Sequence, residues 1–84
     1  RYRMKTTNAT NLIGVKQIGS SLHIALSYRH VEAESFLLTY NGETLTITST
    51  DTPEVQDALA IQGPRSMTLN QQYQNNILHI TLSP

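Results

Sequence analysis

Apolar and polar residues alternate with a period of two along most of this chain, which is the pattern of half-buried β-strands. Leu22, Ile24 and Leu26 show it most clearly, because they share one face of a predicted strand over 21–28. The same alternation predicts strands over 12–18, 35–41, 44–50, 67–73 and 77–83. The segment 54–61 is ambiguous, since its apolar spacing suits a helical turn and 58–62 suits a strand equally well.

Short turn signals join these strands into hairpins. Asn41-Gly42 favours a two-residue type I′ turn, because that turn needs φ > 0 at both central residues. Asn75-Asn76 is a weaker form of the same signal, since asparagine tolerates the left-handed region better than most residues. Gly19-Ser20 predicts a third turn. About seven short strands without a convincing helix between them predict an all-β, antiparallel β-sandwich over 12–84. Residues 1–11 lack the alternation and are interpreted as an N-terminal arm or linker.

Composition narrows the classes of partner. The chain has 84 residues, 14% of them charged, and a formal net charge of +0, so no basic patch indicates nucleic acid. It has no cysteine, which excludes disulfides and thiolate metal sites. No apolar run reaches membrane-spanning length and no signal-peptide pattern appears, so we expect a cytoplasmic protein without a membrane partner. Because the chain begins at Arg1, we expect it to be a piece of a longer protein.

The residues that carry chemistry form no recognisable site. His23 and His79 fall on one predicted sheet face, but zinc needs three or four converging ligands, so we expect these histidines to face solvent. A Gly-x-Ser-x-Gly nucleophile motif is absent. The acidic residues outside the predicted strands are interpreted as solvated surface: Glu32, Glu34, Asp51, Glu54 and Asp57. We therefore expect no catalytic residue, no metal, no cofactor and no enzyme activity.

Two segments, 41–47 and 75–82, share a turn followed by an alternating Leu-x-Ile strand. On these segments, most of the chain (about 12–83) resembles the α-crystallin domain of small heat-shock (Hsp20-like) proteins. The segment 27–31 falls where that family has a Leu-Pro-Gly-Val turn, and 59–62 falls where it has Phe-Arg-Leu-Pro. The resemblance implies an immunoglobulin-like β-sandwich.

The chain departs from the family pattern in several places. Arg29-His30 replaces the Pro-Gly turn, and the arginine that many members carry before their Leu-Pro has no counterpart. Bacterial members swap a long loop into the partner to form a dimer. At the corresponding position this chain has only the short stretch 50–56, so we expect that it either dimerises another way or is monomeric. The short loop also occurs in p23 and CS co-chaperone domains, which usually carry tryptophan; this chain has none.

The resemblance implies an ATP-independent, holdase-like module that shields apolar segments of other proteins, or of itself, at a groove or sheet edge. Carried onto this sequence, the groove residues are Phe36, Leu37, Leu38, Thr39, Met67 and Leu69. Leu37 is out of phase with its apolar neighbours, so it either contacts a partner, packs under the arm or is exposed. The alternatives are a structural or assembly protein, as in spore-coat and germination-associated members, and a CS-type adaptor.

Overall fold

The computed structural model describes residues 3–4, 9–64 and 66–84. Within these residues the chain is all-β and contains no α-helix, which confirms the predicted class. The strands are β1 Arg3–Met4, β2 Leu12–Ile18, β3 Ser21–Ser27, β4 Phe36–Tyr40, β5 Thr44–Ser49, β6 Gln56–Gln62, β7 Thr68–Gln74 and β8 Ile77–Ser83, with one 3₁₀ turn at Ala33–Ser35.

The strands form two antiparallel sheets of four. The first has the order β1-β6-β5-β4 and the second has the order β2-β3-β8-β7. Their inward faces share one core, in a sandwich-like arrangement. The largest fully buried side chains all come from β3, β5, β6 and β8: Ile24, Leu26, Leu45, Ile47, Leu59, Ile61, Leu78, Ile80 and Leu82. The inner strands thus supply most of the apolar burial, about 1.5–3 kcal/mol for each such side chain.

The ambiguous segment is a strand, and the helical interpretation is wrong. β6 begins at Gln56, two residues before the predicted start, and pairs with β5 from Gln56 opposite Thr48 to Ala60 opposite Thr44. Val55 contributed to the helical spacing, but it is buried in the preceding turn, where its N–H donates to the Thr52 carbonyl at 3.0 Å. Pairing with a neighbouring strand therefore overrides a weak local pattern.

The two asparagine turns differ from each other. Asn75 and Asn76 have φ of 54° and 64°, as the predicted type I′ turn requires. In the other hairpin only Gly42 has a positive φ, at 93°, so the two positive φ values that a type I′ turn requires are not both present. Asn41 precedes this turn and its Oδ1 accepts the N–H groups of Glu43 and Thr44 at 2.9 and 2.8 Å. The predicted hairpin is confirmed, whereas its predicted turn type is wrong.

The N-terminal arm contributes a strand that the sequence pattern did not indicate. Arg3 and Met4 pair with Gln62 and Ile61 at the outer edge of β6. A strand of two residues is too short to show a period, so only its pairing reveals it. β1 lies at the opposite end of the sheet from β4 and does not cover that strand.

Candidate partner-binding groove

β4 and β7 are edge strands on the same side of the two sheets. Each is the last strand of its sheet, and the rings of Phe36 in β4 and Tyr73 in β7 contact each other with centroids 5.0 Å apart. We call the opening between these strands the β4–β7 groove; it is defined by Phe36, Leu38, Leu69, Gln71 and Tyr73. A sheet edge presents unpaired main-chain donors and acceptors, so it is a natural place for another strand to bind.

The hydrogen bonds of β4 show which main-chain groups face the free edge. The Ser35 carbonyl accepts the Thr50 N–H at 2.9 Å, and the Asn41 N–H donates to the Thr44 carbonyl at 3.4 Å. Hydrogen-bonded and non-hydrogen-bonded residues alternate along an antiparallel strand. Leu37 and Thr39, which lie between these two ends, therefore hydrogen-bond to β5. The main-chain groups of Phe36 and Leu38 therefore point away from β5.

The side chains of the same residues point into the groove. Phe36 is buried, and Leu38 and Leu69 are half-buried and pack against the core. Gln71 lies opposite Ile80, so it shares the inward face of the sheet, yet it is exposed while Ile80 is buried. The first sheet therefore does not cover Gln71, and the groove is open to solvent there.

Three aromatic rings close the Phe36 end of the groove. The Tyr28 and Phe36 rings lie 5.4 Å apart, and Phe36 in turn contacts Tyr73. The Tyr73 hydroxyl donates to the Tyr28 carbonyl at 2.6 Å, which joins β7 to the connection that follows β3. We call Tyr28, Phe36 and Tyr73 the aromatic wall.

A buried carboxylate lies behind this wall. Asp57 is on β6 and only 3% exposed, so its interpretation as solvated loop surface is wrong. It is in phase with Leu59 and Ile61, which face the core, once the strand begins at Gln56. The Tyr28 hydroxyl donates to Asp57 Oδ2, and Asn11 Nδ2 donates to the same oxygen at 2.9 Å.

Burial raises the pKa of the Tyr28 hydroxyl above its ordinary value, and the hydrogen bond and negative charge of Asp57 raise it further. Tyr28 thus stays a hydrogen-bond donor at neutral pH. Glu32, Glu34, Asp51 and Glu54 are exposed, as predicted.

The structure divides the predicted groove residues between two faces. Phe36, Leu38 and Leu69 belong to the groove, and Met67, just before β7, packs against the core. Leu37 and Thr39 instead lie on the outer face of β4, where Leu37 is 53% exposed. Successive side chains of a strand alternate between faces, so only every second residue of β4 faces the core side.

Two groove residues, Gln71 and Tyr73, were absent from the predicted set. Both lie on the same face of β7 as Leu69, because residues two apart in a strand point to the same side, so the alternation of β7 could have located them. Their neighbours in β8, Ile80 and Leu78, are buried. Gln71 was overlooked because a polar residue on an inward face is not expected from hydropathy.

His23 and His79 lie on the same face of the second sheet. His23 pairs with Thr81 and His79 pairs with Ala25, so the two imidazoles lie diagonally on the outer face of the second sheet. The Thr81 hydroxyl lies 3.4 Å from His23 Nδ1. In the part of the chain that the structure describes, no group of three or more His, Cys, Asp or Glu residues is placed to hold a metal ion.

Comparison of the chain with known protein families, characterised proteins and solved structures finds no match. The resemblance to the α-crystallin domain therefore rests on the sequence motifs and stays a hypothesis. A search of the described residues for a helix long and apolar enough to cross a membrane finds none.

Proposed function

We propose that this domain binds an extended apolar segment of a partner protein, which adds as a strand to β4 and places alternate side chains in the β4–β7 groove. A single observation carries the proposal. At Phe36 and Leu38, the main-chain groups face the free edge and the side chains of the same residues line the groove. The activity is holdase-like and needs no ATP, as the family resemblance implies, and we propose that it takes place in the cytoplasm.

The geometry indicates what such a segment looks like. Residues of the added strand that lie directly opposite Phe36 and Leu38 place their side chains on the same inward face, against Leu38 and Leu69. The residues between them lie on the outer face beside Leu37. Apolar residues two positions apart therefore suit this site, and burial of their apolar area adds to the strand-type hydrogen bonds.

The arrangement of the sheets supports the assignment to an α-crystallin-like, immunoglobulin-like sandwich. That resemblance implies a groove between the strand after the 27–31 turn and the penultimate strand, and β4 and β7 are these two strands. Only Thr50–Val55 separates β5 from β6, so a dimer of this domain needs contacts other than a swapped loop.

A matched pair of variants tests the groove. Gln71 and Gln72 are both exposed, but Gln71 faces the groove and Gln72 faces the opposite side of the same strand. We expect Gln71→Glu to weaken binding of the peptide Ser-Ile-Ser-Ile-Ser at least tenfold in a calorimetric titration, because an ionised carboxylate must be desolvated there. Gln72→Glu should bind as the unmodified protein does. Equal affinity of both variants would overturn the proposal.

Holdase activity needs a test of its own. Reduction of insulin releases a B chain that aggregates, and the reductant cannot alter a domain without cysteine. Light scattering should fall when the domain is present at stoichiometric amounts, and Gln71→Glu should restore it. Leu37→Asp should also weaken suppression, because Leu37 flanks the added strand on the outer face. Undiminished scattering together with concentration-dependent polymers of the domain would favour the assembly function.

One observation favours that second candidate. β2 is the other uncovered edge of the second sheet, and three of its apolar side chains are exposed: Ile13, Val15 and Ile18. Its only charged residue is Lys16, and long apolar edges of this kind promote association between chains. A structural or assembly protein would use this edge permanently. Sedimentation velocity of Val15→Lys against the unmodified domain tests it, since a loss of larger species would support assembly and identical profiles would contradict it.

A further inference from the structure

A path of hydrogen bonds connects the β4–β7 groove to a residue two strands away from β4. Asp57 lies on β6, and β5 separates β6 from β4. Its Oδ2 accepts the Tyr28 hydroxyl, and the Tyr28 carbonyl accepts the Tyr73 hydroxyl at 2.6 Å. The hydrogen bond to Tyr28 is the link between Asp57 and the aromatic wall.

Tyr28 is held at both ends. Its N–H donates to the Asn76 carbonyl at 2.9 Å, which attaches its main chain to the β7–β8 turn. Its ring contacts Phe36, and its hydroxyl is fixed by Asp57. Asn11 supplies a second donor to the same carboxylate oxygen at 2.9 Å. A buried carboxylate needs such donors, because leaving it without them costs several kcal/mol. The carboxylate and the ring thus fix each other.

We propose that Asp57 is a positioning residue that sets the aromatic wall, and thereby limits the size of the partner side chain that fits beside Phe36. This inference rests on the proposed function of the groove. With Tyr28 fixed, the rings of Phe36 and Tyr73 remain in contact, with centroids 5.0 Å apart, and close that end of the groove. When the hydrogen bond to Asp57 is lost, the Tyr28 ring is free to turn and the wall opens.

Two peptides test the limit on size. They have the sequence Ser-X-Ser-Ile-Ser-X-Ser with X as Ala or as Trp, so that Ile opposite Leu38 places an X opposite Phe36, beside the wall, in either direction of the bound strand. We expect the unmodified domain to bind the Ala peptide at least tenfold more tightly than the Trp peptide. Tyr28→Phe and Asp57→Ala should each reduce this preference below threefold. Asp57→Asn, which keeps an oxygen acceptor, should retain it.

The ratio of the two affinities separates positioning from stability. Ile61→Val shortens a buried side chain of the sheet that contains Asp57, so it lowers stability and should keep the tenfold preference. The double variant of Tyr28→Phe and Asp57→Ala should show no larger loss of preference than either single variant. If Asp57→Ala does not fold, Tyr28→Phe decides, since it keeps the ring. An unchanged preference in Tyr28→Phe would overturn the inference.

A failure of the proposed groove function can be distinguished from a failure of the positioning role of Asp57. If neither peptide binds the unmodified domain, the proposed function is wrong. Whether the hydrogen bond of Tyr28 positions the wall is then tested by the NMR signals of the Phe36 and Tyr73 rings. Shifts of these signals in Tyr28→Phe would support the positioning role, and ring signals identical to those of the unmodified domain would refute it.

Discussion

The hydroxyl of Tyr28 donates a hydrogen bond to the buried carboxylate of Asp57, and this bond joins the connection after β3 to the core face of β6. Tyr28 continues from a strand of the second sheet, whereas Asp57 belongs to the first. A polar link therefore crosses the space between two apolar faces. Its presence explains how a largely apolar core accommodates a charged residue, because the carboxylate has two side-chain donors, Tyr28 and Asn11.

Replacing Asp57 should destabilise the domain strongly. In Asp57→Ala the Tyr28 hydroxyl and the Asn11 amide lose their acceptor, so we expect the free energy of unfolding to fall by about 2–4 kcal/mol. Urea denaturation followed by circular dichroism measures it. Glu54→Ala is the control, since an exposed acidic residue should change stability by less than about 0.5 kcal/mol. Equal stability of the two variants would show that the buried link contributes nothing.

Alkaline pH should act on the domain through Tyr28. Its folded pKa is raised by burial and by Asp57, so the stabilisation is fully present below the unfolded pKa, about 10. It is lost as pH rises through the folded value, because the unfolded state ionises first. We expect unfolding free energy to decrease above about pH 10 and Tyr28→Phe to reduce this slope. A pH series of urea titrations measures both slopes, and parallel curves would contradict the prediction.

The left-handed conformation of Gly42 predicts a local cost for any side chain there. With φ of 93°, Gly42→Ala places a Cβ in a conformation that L-residues rarely adopt, and we expect a loss of about 1–2 kcal/mol. Gly14→Ala is the matched control, because Gly14 lacks a positive φ and an added Cβ meets nothing within 4 Å. Thermal unfolding of both variants measures the difference. A larger loss in Gly14→Ala would be inconsistent with this account of the turn.

Asp51 should remain ionised to a lower pH than an ordinary aspartate. Hydrogen bonds from the Thr52 and Ser49 hydroxyls, both at 2.9 Å, lower the pKa of its carboxyl. The small stabilisation is present above its unfolded pKa of about 3.9 and is lost as pH falls through the folded value. An NMR titration should give a midpoint for Asp51 below the ordinary aspartate value of about 3.9. Thr52→Val should raise the Asp51 midpoint, and an unchanged midpoint would argue against the hydroxyl as its cause.

The candidate site shows which of its features can be predicted from the pattern of apolar residues. Phe36, Leu38 and Leu69 were predicted as partner-groove residues, and all three side chains lie on the core-facing side of their strands. Leu37 and Thr39 were predicted with them and lie on the opposite face. Contact between β4 and β7 is a relationship between different sheets, and neither strand contains any local signal of it.

The sequence by itself determined the strands, the hairpins and the apolar core, since these depend on a period of two and on turn residues that act over a few positions. Only the tertiary structure decided that 56–62 is a strand, that Arg3–Met4 joins it, and that Asp57 is buried beside Tyr28. Each of these depends on pairing between residues distant in the chain. Asp57 is separated from Tyr28 by two strands in sequence, and the energy of their hydrogen bond exists only when the fold brings them together.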